Sequence, residues 1–339
     1  MSITEAVPSS REWNIQAEDT RLPAFVCLTV VVAVVVPRII SGPNLLTFDL
    51  AVAYAIAALG LNVIFGFGGL LSVAQGAVMA VGAYALVLLL NHAGSVGVIP
   101  ALASAAAVGG LVSGLTGLVA IRIRSHYFIL ASLALSEGVL LVITNQIGLT
   151  GGSNGLGLKG TPTLRGLDLT TAHGAAYLGV ALLGLVWYLA SCLRSSRFGI
   201  ALQAARSDDY LAMASAVAVH RNRLWATVVG GAFGGLGGGL LALLNGYIGP
   251  QDFVLDTSVL LLLMVVLGGR ASNAGTVAAA IVLTAITQGL LQVTSIGDLV
   301  YGLAIVALLI FTREGLAGLG RGALGLLRRS TGAAGRRWF

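Results

Sequence analysis

RSSRFGIALQAARSDDYLAMASAVAVHRNR, residues 194–223, is a polar interruption in an otherwise apolar chain. It holds five arginines and two adjacent aspartates, and apolar segments flank it at 175–193 and 224–246. Its alanines recur at spacings that a surface helix uses. The pattern predicts a short helical hairpin that joins two membrane spans, and we refer to residues 194–223 as the polar segment.

The composition of the whole chain indicates an all-α polytopic membrane protein. Of 339 residues, 57% are hydrophobic and only 9% are charged, whereas soluble domains carry about 25% charged residues. The 47 glycines suit membrane helices, because small residues let such helices pack closely. Cys27 and Cys192 lie in apolar segments and give no disulfide or metal-site spacing, so we expect no metal site.

Hydropathy over a window of about twenty residues predicts about ten spans, some of them short or re-entrant. They fall at 22–40, 45–65, 76–91, 97–121, 127–147, 174–193, 224–247, 257–268, 275–293 and 298–312. The predicted organisation is a tail at 1–21, a transmembrane domain at 22–312 and a basic tail at 313–339. The tail at 1–21 lacks the apolar core of a cleavable signal peptide, so we expect the first span to act as the insertion signal.

The basic residues orient these spans. With the amino terminus inside, the outer pieces hold only Arg38, Lys159 and Arg165 of the 19 lysines and arginines. Because cytoplasmic loops carry the excess of positive charge, the polar segment and both termini are predicted to be cytoplasmic, with an outer loop at 148–173. The basic charge therefore follows membrane topology and does not indicate a nucleic-acid partner.

The outer loop begins with a glycine-rich turn, LTGGSNG, residues 149–155. Its candidate residues are Thr150, Gly151, Gly152, Ser153 and Asn154. The glycine density favours a loop that packs over a gate or touches an external partner, with a generic turn-rich connection as the alternative.

Polar residues inside the spans are candidates for the transport pathway. A charge near mid-span costs about 2.5–3.5 kcal/mol, so we expect Glu137 to face the protein interior. It would lock helices through Ser132, Ser136 or an asparagine of another span, or form a polar wall of a pathway. Asn62 and Gln75 are candidates for pore lining or for hydrogen bonding between helices, whereas Asp49 is expected at the membrane interface.

Glycines concentrate in one predicted span, which contains the run GGAFGGLGGG at 230–239. This run predicts close helix packing, and we favour a seam within the chain over one with a second subunit. A weak internal similarity relates GGLLSVAQGAV, beginning at residue 68, to GGRASNAGTV, beginning at residue 268.

Five ordered motifs resemble the permease subunits of branched-chain amino acid ABC importers, and the LivM-like type most of all. They are AALGLNVIFGFGGLLSVAQGAVMAVGAYA (57–85), RIRSHYFILASLALSE (122–137), LTGGSNGL (149–156), RSSRFGIALQAARSDDYLAMA (194–214) and LLLMVVLGGRASNAG (261–275). The resemblance covers roughly residues 45–320. One departure is Ala216, which stands where the family has a glycine late in its coupling segment.

The resemblance implies a transport subunit of the bacterial inner membrane that is not itself an enzyme. Its partners would be a homologous second permease (LivH-like), two cytoplasmic ATPases (LivG/LivF-like) and an extracytoplasmic binding protein. ATP would be bound by the ATPases alone, since no GxxxxGK[ST] string occurs in this chain and we expect no cofactor of its own. The implied ATPase-coupling residues are Arg197, Phe198, Gly199, Ala205, Arg206, Asp208, Asp209, Ala212 and Ala216.

Several alternatives stay open. The polar segment is either a lever for a cytoplasmic partner or a plain loop. Ala212, Ala214 and Ala216 could enter a cleft on a partner, while Asp208 and Asp209 could cap a helix or neutralise Arg206. Branched-chain amino acids are the first substrate expectation, and relatives move urea, short amides or aromatic acids. A secondary transporter or a passive solute channel is the alternative class.

Overall fold

The computed structural model describes residues 43–92, 97–122, 125–159, 163–164, 167–168 and 172–291. Two predicted spans, at 22–40 and 298–312, and both predicted tails lie outside the described residues. Within the described part the chain is an all-α bundle, as the sequence predicts. The eight predicted spans between residues 45 and 293 each correspond to a helix.

Ten helices form the described bundle. They are α1 (Pro43–Leu61), α2 (Gln75–His92), α3 (Val98–Arg122), α4 (Ser125–Asn145), α5 (Ala172–Ser195), α6 (Arg197–Ser207), α7 (Asp209–Ala214), α8 (Val219–Asn245), α9 (Leu255–Gly268) and α10 (Asn273–Leu291). A π-helical segment, Asn62–Phe67, continues α1, and one-turn helices occur at Ile147–Thr150, Gly152–Asn154 and Pro250–Phe253.

Seven helices of the described part are long and apolar enough to cross a membrane, and the apolar helix 273–288 is shorter. The helical stretch at the eighth predicted span, 257–268, is longer than the sequence indicated. The turn Pro250–Phe253 leads directly into α9, so that the apolar helical stretch runs over residues 250–268.

Four very short strands stabilise the loops. β1 (Leu156–Gly157) pairs antiparallel with β4 (Tyr247–Ile248), and β2 (Thr163–Leu164) pairs with β3 (Leu167–Asp168). The first pair fastens the loop after α4 to the turn after α8. Because the polar segment ends within the first residues of α8 and this pair follows α8, the two lie at opposite ends of a helix about 40 Å long.

Helix α8 occupies the centre of the bundle and packs most extensively on α3, α2 and α1. Its glycines make this possible. A Cβ atom added at Gly235 would overlap the carbonyl group of Ala105, and one at Gly238 would overlap the carbonyl group of Met79. The predicted glycine seam is therefore confirmed as a seam within the chain.

The two similar GG motifs form similar helix breaks. The second glycine of each, Gly69 and Gly269, has a positive φ, +71° and +91° respectively. A serine three residues later accepts a backbone hydrogen bond in both motifs, Ser72 from Ala74 N (3.3 Å), just before α2, and Ser272 from Gly275 N (3.1 Å), in the first turn of α10. The sequence similarity thus has a local structural counterpart, although only Ser272 caps the helix that follows.

Candidate functional site

The start of the polar segment is a tight corner between α5 and α6. Ser196 caps α6, its Oγ accepting a hydrogen bond from Gly199 N at 3.2 Å. Gly199 is buried, and a Cβ atom there would overlap the carbonyl oxygen of Leu193. Phe198 packs against the core, while Arg197 is exposed. This corner explains physically why a serine and an Arg-Phe-Gly sequence stand together here.

Helix α6 is tied to the transmembrane bundle by Arg206. Its guanidinium donates a hydrogen bond to the carbonyl oxygen of Gly66, in the last turn of the π-helical segment. That position is favourable for a cation, because the carbonyl groups at a helix C-terminus carry partial negative charge. Burial, and secondly the positive charge of Arg270, lower the pKa of Arg206. Arg270 itself lies 4.8 Å from the centre of the Phe65 ring.

The adjacent aspartates have separate roles. Asp208 caps α7, its Oδ1 accepting hydrogen bonds from Tyr210 N (2.8 Å) and Leu211 N (3.1 Å). Asp209 instead forms a two-pronged ion pair with Arg223, at 2.7 and 2.9 Å. Helix capping is therefore correct for Asp208, while Asp209 fastens α7 to Arg223, near the start of α8. Neither aspartate makes an ion pair with Arg206 in the described part of the chain.

The expectation that Ala212 enters a cleft on a partner is wrong, whereas Ala214 and Ala216 are exposed. Ala205 and Ala212 are buried at 1% and 4% exposure, and they pack on Val219 within this chain. The outward face of α7 consists of larger side chains, with Tyr210 83% and Leu211 67% exposed. The alternation of small and large residues was visible in the sequence, but it did not show which face turns inward.

Ala216 adopts a left-handed backbone conformation, with φ +58°. It lies in the turn between α7 and α8, where Ala216 N donates to Met213 O and Val217 N donates to Ala212 O, both at 3.0 Å. A left-handed residue commonly ends a helix and is usually glycine, because a Cβ atom is unfavourable there. The glycine that the family resemblance places here thus has a conformational reason, and Ala216 carries strain.

Asn62 joins the start of the π-helical segment to the break between α9 and α10. Its Nδ2 donates to Asn273 Oδ1 at 3.1 Å, and its Oδ1 accepts from Ala271 N at 3.0 Å. Asn273 in turn donates to Ser191 Oγ of α5 at 3.3 Å. Asn62 is completely buried, so in this conformation it holds helices together and lines no open passage.

Gln75 has a similar role at the start of α2. Its Nε2 donates to the carbonyl oxygens of Ala57 on α1 (3.1 Å) and Gly230 on α8 (3.2 Å). Next to it, Gly76 N donates to Ser258 Oγ on α9 at 2.9 Å. The non-helical stretch 68–74 therefore returns the chain to the level of Ala57 on α1, and Val73 N within it donates to Ser132 Oγ of α4.

Glu137 does not face the interior of the described bundle. Its side chain is exposed, as is the adjacent Gly138. Ser136 is buried and its Oγ has no hydrogen-bond partner among the described residues, while Ser132 Oγ accepts from Val73 N at 3.0 Å. The predicted lock between helices through Glu137 is therefore not formed within the described residues, and Ser132 instead fastens α4 to the non-helical stretch before α2.

The LTGGSNG turn is an ordered structure at the end of the bundle away from the polar segment. Thr150 is buried and donates to Ile143 O and Gln146 O, while Gly151 and Gly152 have φ of +75° and +62°. The exposed Ser153 and Asn154 accept hydrogen bonds through their carbonyl groups. Gln251 Nε2 donates to Ser153 O at 3.4 Å, and Tyr247 OH donates to Asn154 O. The turn thus packs against residues 247–251.

Comparison with known proteins agrees with this arrangement. Residues 45–311 match the protein family described as "Branched-chain amino acid transport system / permease component". The chain is 28% identical over 325 residues to the high-affinity branched-chain amino acid transport system permease protein LivM of Salmonella typhimurium, and 29% identical to that of Escherichia coli K12. Each alignment covers 89% of this chain and 76% of the relative.

No solved structure matches the chain. The family match spans most of the sequence, including the helix breaks, the LTGGSNG turn and the polar segment. Together with its apolar helices, this match makes the chain a multi-pass membrane protein. The chain belongs to the family of branched-chain amino acid transport permeases.

Proposed function

We propose that this chain is the membrane-spanning permease subunit of an ATP-driven importer, which carries branched-chain or related hydrophobic amino acids delivered by an extracytoplasmic binding protein. The family and the names of the two relatives support the substrate class. The sequence contains no phosphate-binding GxxxxGK[ST] string, so ATP hydrolysis would reside in partner subunits.

The observation that carries this proposal is the outward face of α7. Tyr210, Leu211 and Met213 are exposed on a segment that the arginine distribution places in the cytoplasm. Apolar side chains grouped on a six-residue helix favour contact with another protein over contact with water. We assign this face to an ATPase subunit, so that the docking residues are the large ones and not the alanines.

The remaining residues of the polar segment would transmit the motion. Arg206 connects α6 to the π-helical segment, and Asp209 connects α7 to Arg223 of α8. From the π-helical segment, Asn62 continues to the break between α9 and α10. A displacement of α6 and α7 by the ATPases would therefore reach both helix breaks and the central helix as one packed unit.

The assembly contains a homologous second permease, two ATPases and the binding protein, in a bacterial inner membrane with both termini of this chain cytoplasmic. That assembly would also explain the exposed position of Glu137. A carboxylate near mid-span is too costly to leave in lipid, and it is exposed on this chain alone. We assign it to the wall of a polar pathway covered by the second permease.

Reconstitution tests this function directly. Proteoliposomes with both permeases, both ATPases and the binding protein should accumulate L-leucine only with ATP inside the compartment that faces the polar segment. Uptake driven by a proton or sodium gradient would instead identify a secondary transporter. Equilibration without ATP would identify a channel.

A matched pair of substitutions tests the docking face. Leu211→Asp places a charge on the exposed face of α7, whereas Leu149→Asp places one at an exposed position on the opposite end of the bundle. We expect the first variant to lose ATPase subunits on purification and the second to retain them. Equal ATPase content in both complexes would contradict docking through α7.

A further inference from the structure

A cavity of about 240 Å³ lies between α1, α8 and α10. Its polar lining consists of Asp49, Thr47, Asn245 and Gln288. Its location is the end of the bundle away from the polar segment. Asp49 stands in the second turn of α1, while Arg206 meets the far end of that helical unit at Gly66. The predicted topology puts this end on the extracytoplasmic side.

Asp49 is the unusual member of this lining. It is only 2% exposed, and its Oδ2 has no hydrogen-bond partner among the described residues. The seven residues that line the cavity include no lysine, arginine or histidine. Burying a carboxylate without a partner is strongly unfavourable. Asp49 therefore lies near a helix end but is buried, and its Oδ2 is an acceptor that a ligand with hydrogen-bond donors would satisfy.

The rest of the lining indicates which ligand would fit. The amides of Asn245 and Gln288 offer donors to an anionic group, and Leu46, Leu50 and Leu244 offer an apolar surface. Pockets for drug-sized ligands occupy about 300–1,000 Å³, so a cavity of about 240 Å³ suits a smaller molecule. A carboxylate, two amides and three leucines together match a small aliphatic molecule with an ammonium and a carboxylate group.

We propose that this cavity binds the transported aliphatic amino acid as it enters the permease, with its ammonium group donating to Asp49. The proposal rests on the proposed function and adds a location and a recognition chemistry to it. The amides would take the substrate carboxylate, and the leucines would contact its side chain. The ammonium group supplies the donors that the buried Oδ2 lacks.

Chemical protection of Asp49 tests the site without a transport assay. The assembled complex, in nanodiscs without ATP, is treated with a hydrophobic carbodiimide, and modification of Asp49 is followed by peptide mass spectrometry. L-Leucine and 3-methylbutylamine both carry an ammonium group, whereas 4-methylpentanoate lacks it. Asp256, an exposed carboxylate at the start of α9, serves as the internal control.

We expect L-leucine and 3-methylbutylamine at saturation to slow modification of Asp49 roughly tenfold, because the reagent reaches only unoccupied sites. Neither should protect Asp256, and 4-methylpentanoate should protect neither residue. Absence of protection by both amines would overturn the proposal, as would equal protection by 4-methylpentanoate. Protection by sodium ions in place of the amines would also overturn it.

A variant separates this proposal from the function on which it rests. Asp49→Asn keeps the shape and removes the charge, so uptake at limiting substrate should fall about tenfold, with ATPase binding unchanged. Asp256→Asn should transport normally. If the wild-type complex transports leucine with ATP but Asp49→Asn does so equally well, only the cavity assignment fails. If the wild-type complex shows no ATP-driven uptake, the proposed function itself fails.

Discussion

Arg206 donates a hydrogen bond to the carbonyl oxygen of Gly66, which lies 140 residues earlier in the chain. The bond joins a helix of the polar segment to the π-helical end of a membrane span. π-Helical turns are rare and occur frequently at functional sites. This contact makes the polar segment a part of the transmembrane bundle. Removing the hydrogen bond between Arg206 and Gly66 is the most direct test of mechanical coupling.

Arg206→Met should uncouple ATP hydrolysis from uptake while leaving the ATPases bound. The substitution removes a hydrogen bond from a charged donor, worth about 1.5–3 kcal/mol, but leaves the outward face of α7 unchanged. The measurement is the number of substrate molecules transported per ATP. Arg197→Met, at an exposed arginine on the same helix, is the control. Equal ratios in both variants would show that the Gly66 contact transmits nothing.

Asp209→Asn should destabilise the attachment of α7 to α8. Arg223 is only 9% exposed, and it would lose its carboxylate partner. Breaking a fully buried pair costs about 3–5 kcal/mol, and we expect about 1–3 kcal/mol because the Asp209 side chain is 39% exposed. Thermal unfolding of the purified complex measures the change.

The neighbouring aspartate provides the control for that experiment. Asp208→Asn should shift the unfolding temperature little, because asparagine caps a helix as well as aspartate does. If the two variants were equally unstable, general loss of negative charge would explain both results, and the ion pair would have no special role.

Ala216→Gly should stabilise the protein by roughly 0.5–1 kcal/mol. Glycine removes the steric cost of a left-handed Cβ atom, about 1–2 kcal/mol, and part of the gain is offset by its greater freedom in the unfolded chain. Ala204→Gly, at an exposed position within α6, should instead destabilise by about 1 kcal/mol. Opposite shifts in unfolding temperature are expected, and shifts of the same sign would argue against strain at Ala216.

Glu137→Leu should leave stability unchanged within about 0.5 kcal/mol, because no described residue loses a hydrogen bond. It should reduce uptake if the carboxylate lines the pathway. Ser132→Ala should have the reverse effect, since Val73 N would lose its acceptor at a cost of about 1–3 kcal/mol. Loss of stability in Glu137→Leu would restore the helix-lock interpretation.

Cysteine accessibility tests the orientation. Ser153 and Ser207 are exposed serines at opposite ends of the bundle. In a background without Cys27 and Cys192, an impermeant maleimide should label Ser153→Cys in intact cells and Ser207→Cys only after permeabilisation. The reverse pattern would invert the predicted topology.

The sequence predicted the bundle well because long apolar runs and glycine spacing depend on local composition. It predicted side-chain direction less well. Alanine spacing identifies a small-residue face on α7, but not that Ala212 turns toward the bundle and Leu211 away from it. That choice depends on the path of the chain after Ser207, which is set by the Asp208 cap and the Asp209 ion pair.

The sequence also did not predict the degree of burial of Glu137 and Asp49, and the two differ from expectation in opposite directions. A charge at mid-span must avoid lipid. For one chain alone this requirement predicted that Glu137 is buried, but the Glu137 side chain is exposed. In an assembly of several subunits, the protein interior extends beyond one chain. Asp49 lies near a helix end, where exposure is the ordinary expectation, and it is buried because α8 and α10 close over it. Neither arrangement is encoded in local sequence.

The central position of α8 sets the order in which the protein can be built. Synthesis proceeds from the amino terminus, so α1, α2 and α3 enter the membrane before α8 exists. All three pack most extensively on α8, and Gln75 of α2 gains its second acceptor, the carbonyl oxygen of Gly230, only when α8 is present. Until α8 is inserted, lipid must occupy the groove between α1, α2 and α3 that the glycines of α8 later fill. Insertion of α8 is therefore the step at which a set of separate spans becomes one core, and a nascent chain that stalls before residue 230 remains a substrate for membrane quality control.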